Sequence, residues 1–117
     1  MVVIILSDIK LTKDSDALIC AIYKNYLENR KNSISKSICK NIGSSENIQK
    51  TIMPEWSFED VDETCRELHR ANLLICHYAD NVVYDSYLSD ESIFYMENRF
   101  KNGLSEVLDY FQKIKFW

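Results

Sequence analysis

Residues 57–88, SFEDVDETCRELHRANLLICHYADNVVYDSYL, decide how this chain folds. The stretch opens on Ser57, followed three residues later by Asp60, a capping box with Asp where Glu or Gln is usual; Trp56 just ahead can staple onto Val61. Phe58, Val61, Cys65 and Leu68 recur at helical spacing, so a helix is expected that buries these four and runs out near Asn72 and Leu73. Residues 74–78 and 82–88 are rich in β-branched and aromatic types, and Ala79, Asp80 and Asn81 between them include two residues that tolerate positive φ. The reading is a capped helix that feeds directly into a β-hairpin.

Upstream, Thr12 can cap a helix whose apolar positions Leu18, Ile19, Ile22, Tyr23, Tyr26 and Leu27 repeat at three and four residues. Asp14 and Asp16 sit in its first turn and Arg30 and Lys31 in its last, where the helix dipole favours each sign. A second helical piece follows Ser33 or Ser35, carries Ile34, Ile38 and Ile42, and ends at Gly43. A third begins at Ser44 or Ser45 and covers residues 46–53, where Pro54 stops it. Downstream, Ser89 or Asp90 caps a long final helix in which Ile93, Met96, Phe100, Leu104, Val107, Phe111 and Ile114 form a heptad-like seam. The opening MVVIIL is too short to cross a bilayer and lacks a basic leader, so it reads as a short strand rather than a signal or an anchor.

A chain of 117 residues, 46% hydrophobic, suits one compact domain. It divides into a short N-terminal strand over 1–11, a core over 12–88 and a C-terminal helix over 89–117. The overall charge of −4 exerts no general pull on nucleic acid or anionic membrane, and a cytoplasmic protein is expected.

Helix, helix, capped helix and hairpin, in that order, resemble a winged helix, an α+β fold, over about residues 12–88. The segment Ile93-Phe94-Tyr95-Met96-Glu97-Asn98-Arg99-Phe100, following a hairpin, is also similar to the endings of small YjcQ-like winged-helix proteins of Gram-positive bacteria and their phages. In DNA-binding members of the superfamily the resemblance implies a recognition helix in the major groove, here 57–71, with the hairpin as a wing on the backbone.

The charge opposes that use. Residues 55–97 hold eleven acids against two bases, Arg66 and Arg70, a local net charge of −9, and no lysine or arginine occurs over 71–98. The outward side of the capped helix is expected to present Glu59, Asp60, Asp62, Glu63 and Glu67, carboxylates that would be repelled by phosphate. Helix-dipole preferences and i, i+4 pairs such as Asp62 with Arg66 account for part of this acidity; as a functional surface, the ridge would dock a basic partner or imitate phosphate spacing. A basic cluster does exist in Arg30, Lys31, Lys36, Lys40 and Lys50, which also reads as an ordinary solvated face.

Chemistry finds little footing. Two glycines and one proline leave no phosphate-cradling loop, and His69 and His77 have no nucleophile beside them, with Ser86 or Cys76 alone no constellation. Cys65, His69, Cys76 and His77 lack the tight ligand pairs of a structural zinc site, so no metal or other cofactor is expected, and Cys20, Cys39, Cys65 and Cys76 read as reduced core residues. The tyrosines read as core and interface.

Two functions follow. The first is a non-enzymatic protein that acts through protein contacts as an adaptor or inhibitor, forming a homodimer through the seam of its last helix and meeting another partner through the acidic helix or the hairpin. The alternative is a bacterial or phage transcriptional regulator that meets DNA with Arg30, Lys31, Lys36, Lys40 and Lys50 together with Arg66 and Arg70.

Overall fold

The computed structural model describes residues 9–113, so residues 1–8 of the expected N-terminal strand and Ile114 of the expected seam lie outside the described residues. Residues 9–11 have no regular structure. The described chain is α+β: six helices and one two-stranded antiparallel hairpin.

Helix α1 (Lys13–Lys31) is capped by the Thr12 hydroxyl, which accepts from the Ser15 amide at 3.0 Å. Every residue from 17 to 23 is buried, which matches the unbroken apolar run of the sequence and makes α1 central rather than amphipathic; α2, α4, α5 and α6 all pack against it. Helix α2 (Lys36–Lys40) is a single turn. It buries Cys39 but leaves Ile38 65% exposed, because so short a helix can present only one position to the core. Asn41 then forms an isolated antiparallel bridge with Tyr87, and the Ile42 amide donates to the Ser86 carbonyl at 2.9 Å. Gly43, at φ +91°, turns the chain into α3 (Ser45–Thr51), capped by Ser44.

Ser57 caps α4 (Phe58–Arg70), accepting from the Asp60 amide at 3.1 Å. Val61, Cys65 and Leu68 are buried as expected, whereas Phe58, at the first position of the helix, projects past the core and is 37% exposed. Strands β1 (Leu74–Ala79) and β2 (Val82–Leu88) follow, joined by Asp80 and Asn81 at φ +51° and +64°, the two positive values of a type I′ turn. A bulge between His77 and Tyr78 shifts the register.

The long final helix is two helices. Ser89 caps α5 (Asp90–Arg99), and α6 (Leu104–Lys113) begins only after a break in which Gly103 takes φ +70°. The Asn102-Gly103 pair is a turn signal that interrupts helical propagation, and the apolar periodicity persists across it because both helices fold back on α1. The seam is therefore part of the core: Ile93, Met96, Phe100 and Val107 are buried, and Leu104 and Phe111 half-buried.

Asp16 on α1 fastens this return. Its carboxylate takes two hydrogen bonds from the Arg99 guanidinium at the end of α5 and one, at 2.6 Å, from the Tyr110 hydroxyl on α6. The guanidinium stacks 4.8 Å from the Tyr110 ring centre and 5.0 Å from that of Phe100. Burial alone would raise the Asp16 pKa, but the Arg99 and Tyr110 hydrogen bonds and the Arg99 charge outweigh it and hold the carboxyl below its ordinary value.

Candidate functional site

Helix α4 packs against α3, α1 and both strands of the hairpin. Of its five acids offered as a docking ridge, Asp62 is not on the surface. It is 8% exposed, and its Oδ1 accepts from the Ser45 hydroxyl of α3 at 2.7 Å and the Val83 amide of β2 at 2.9 Å. Its Oδ2 accepts from Arg66 Nε at 3.0 Å. Burial pushes the carboxyl up, and the Val83, Ser45 and Arg66 donors more than reverse this, so its pKa is lowered. The expectation of an outward Asp62 fails because an amide and a hydroxyl from other elements need an acceptor where this side chain sits.

Glu67 turns the other way, toward α1, and accepts from the hydroxyls of Ser15 at 2.7 Å and Thr12 at 2.8 Å; the Ser15 bond leads in lowering its pKa. Glu63 pairs with Arg70 at 3.5 Å on open surface. Glu59 and Asp60 are exposed at the start of the helix and have no ion pair among the described residues. The ridge thus shrinks to Glu59, Asp60 and Glu63.

Most of the candidate cations are engaged. Arg66 is held by Asp62, by the Asn81 carbonyl at 2.5 Å and by the Tyr78 ring, 4.9 Å from its guanidinium carbon; Tyr78 in turn places its hydroxyl 2.7 Å from His69 Nδ1. Lys40 pairs with Asp90, and Lys50 with Glu46 at 2.8 Å. Arg30 donates to the Ile34 carbonyl. Lys31 and Lys36 are exposed with no ion pair among the described residues. Four of the seven positions, Lys40, Lys50, Arg66 and Arg70, therefore face carboxylates.

The residues considered for metal or catalysis do not converge. Cys65 and Cys76 are buried, with burial pushing the Cys76 thiol up to about 11 and that of Cys20 to about 12, far from a reactive thiolate. His77, next to Cys76 in a strand, points to the opposite side of the hairpin. The Ser86 hydroxyl is buried and donates to the Gly43 carbonyl at 2.7 Å, which locks the second strand to the α2–α3 turn. No described helix is long and apolar enough to cross a membrane.

Two surfaces take shape, the first unforeseen in the sequence and the second one side of the hairpin already expected to meet a partner. One is a groove of about 410 Å³ between α1, residues 51–55 and α6, lined by Ala21, Ile52, Met53, Pro54, Leu108 and Phe111 with Lys24, Glu28 and Glu55 at its margins. The other is the outer face of the hairpin, where Ile75 and Tyr84 are 46% and 54% exposed beside His77 and Tyr87. The period-two spacing of Ile75 and His77 was a signal for it, but the bulge in β2 was not readable. No family model matches this chain, and neither a curated protein nor a solved structure matches it.

Proposed function

We propose that this chain is a non-enzymatic winged-helix protein that works through protein contacts, as an adaptor or inhibitor, pairing with a second copy of itself and with another protein. One observation carries the reading: the helix and hairpin that would face DNA carry only two cations, Arg66, held by Asp62, and Arg70, on open surface beside Glu63, and the hairpin contains no lysine or arginine. Association with a duplex is driven by release of counterions as cations meet phosphate, and this surface has at most Arg70 to offer. The order of elements supports the fold assignment: α3 and α4 joined by a short connection, then the hairpin.

Self-pairing on this reading does not use the heptad-like seam as a whole, since most of it is internal. It uses the outer side of α6, where Leu108 remains 39% exposed over the apolar groove.

A mobility-shift titration with random-sequence duplex DNA at low salt, alongside a light-scattering mass, tests the proposal. No shift, and a mass twice the 13.8 kDa of the chain, are expected. Tight binding with a steep salt slope that is lost in Lys36→Glu with Lys40→Glu would replace this reading with a DNA-binding regulator that approaches through the α1 to α3 cations.

A further inference from the structure

Strict alternation along β2 would put one residue between two inward-facing neighbours. Between Val83 and Ser86, both fully buried, it carries two, Tyr84 and Asp85. The bulge opposite His77 and Tyr78 is the cause, and it sets a ring and a carboxylate side by side on the outer face. His77 is the cross-strand partner of Asp85, and its ring centre lies 6.3 Å from that of Tyr84 and 6.0 Å from that of Tyr87. The Asp85 carboxylate acts on the Tyr87 hydroxyl and raises its pKa. Ile75, opposite Tyr87, extends the patch.

The hairpin itself carries one sign of charge. Residues 71–98 contain Asp80, Asp85, Asp90, Glu91 and Glu97 and no lysine or arginine; of the cations brought near by other elements, Arg66 at the turn end is held by Asp62 and the Asn81 carbonyl, and Lys40, beside the Asn41 bridge to Tyr87, is paired with Asp90. Aromatic faces beside a carboxylate attract a guanidinium or ammonium twice over, through the ring quadrupole and through charge.

We propose that the outer face of the hairpin docks an arginine- or lysine-bearing segment of another polypeptide, its cation lying against Tyr84 and Tyr87 and paired with Asp85. This inference rests on the protein-contact reading and adds its site and its partner chemistry. A single-stranded nucleic acid also stacks on exposed rings, but it needs a cationic track for its backbone; the hairpin has no lysine or arginine of its own, and Lys40 at its edge is taken up by Asp90.

Panning a phage-displayed library of random dodecapeptides against the full chain at low salt tests the inference. Selected peptides are expected to be enriched in arginine or lysine beside apolar residues. The best synthetic peptide should bind about fivefold more weakly to Asp85→Asn and about two- to fivefold more weakly to Tyr84→Ala, with the unfolding temperatures of both variants unchanged. Selection of no peptide, or only of peptides without basic residues, overturns the inference. Basic peptides that bind both variants like the wild type overturn it too, but leave the wider reading standing, with the contact on Glu59 and Asp60 of α4. Binding of oligothymidylate in the same titration, abolished by Tyr84→Ala, overturns both.

Discussion

Replacing Asp62 with alanine is expected to cost about 3 kcal/mol of folding stability, although this residue reads in sequence as one more surface carboxylate. The magnitude follows from its three donors. Without Asp62, the Ser45 hydroxyl can turn to the Val83 carbonyl, 3.2 Å away, so it is not orphaned. The Val83 amide has no such alternative and sits in a fully buried residue, at a cost of about 1–3 kcal/mol. Arg66 is a quarter exposed and recovers most of its loss from water, so it adds little to the cost at Val83. Asp62→Asn keeps an acceptor for Ser45 and Val83 and should lose less than a third of the alanine loss, mainly the charge facing Arg66. Urea unfolding measures both, and the alanine variant should also melt about 12 °C lower, at roughly 4 °C per kcal/mol for a domain of this size. The pH dependence provides an independent check. Because the folded pKa lies below the ordinary Asp value of about 3.9, the stabilisation is complete above that pH and is lost as pH falls below it toward the folded pKa. The gap between wild type and Asp62→Asn should therefore narrow in acid. An alanine variant with the wild-type urea midpoint and slope would refute the buried network and return Asp62 to the surface.

Arg99→Ala should lose about 2 kcal/mol in the same assay, because Asp16 and Tyr110 lose their cation and the stacking on Phe100 disappears; Arg99→Lys should recover only part, since an ammonium cannot make the paired bonds to Asp16. Gly43→Ala should cost more than Gly103→Ala, about 2 against about 1 kcal/mol in thermal unfolding: both sit at positive φ, but a Cβ at Gly43 meets Asn47 Nδ2 at 3.2 Å while one at Gly103 meets open space. Asn81→Gly is expected to stabilise by about 0.5 kcal/mol, since it supplies the residue preferred at the second position of the turn and leaves the carbonyl that Arg66 bonds; a lower melting temperature would contradict the type I′ assignment.

Local chemistry was the legible part of this chain. Thr12 and Ser57 each accept the amide three residues on, as their positions suggested, and Ser44 and Ser89 do so as the first of two adjacent candidates, because a cap depends only on its immediate neighbours. The hairpin turn was readable for the same reason. What escaped were polar pairings between distant segments. Asp62 finds Ser45 and Val83 seventeen and twenty-one residues away, and Asp16 finds Arg99 eighty-three residues away, separations at which no periodicity points from one partner to the other. The break before α6 was marked by Gly103, yet an uninterrupted count of apolar spacings ran through it. Of the surfaces proposed for contact, the acidic helix was visible in composition, and the outer hairpin face depended on a bulge that shifts two side chains at once.

The central position of α1 bears on how the protein comes into being. Translation delivers this helix early and its covers late: Tyr110, which bonds Asp16, is joined to the growing chain ninety-four residues afterwards. Until then the side of α1 that α6 covers has no lid, and the nascent polypeptide presents it to whatever lies outside the ribosome. Holding factors that recognise exposed apolar helices are the natural companions of this interval, and synonymous codons that delay decoding of α6 should lower the yield of native protein without altering a single residue.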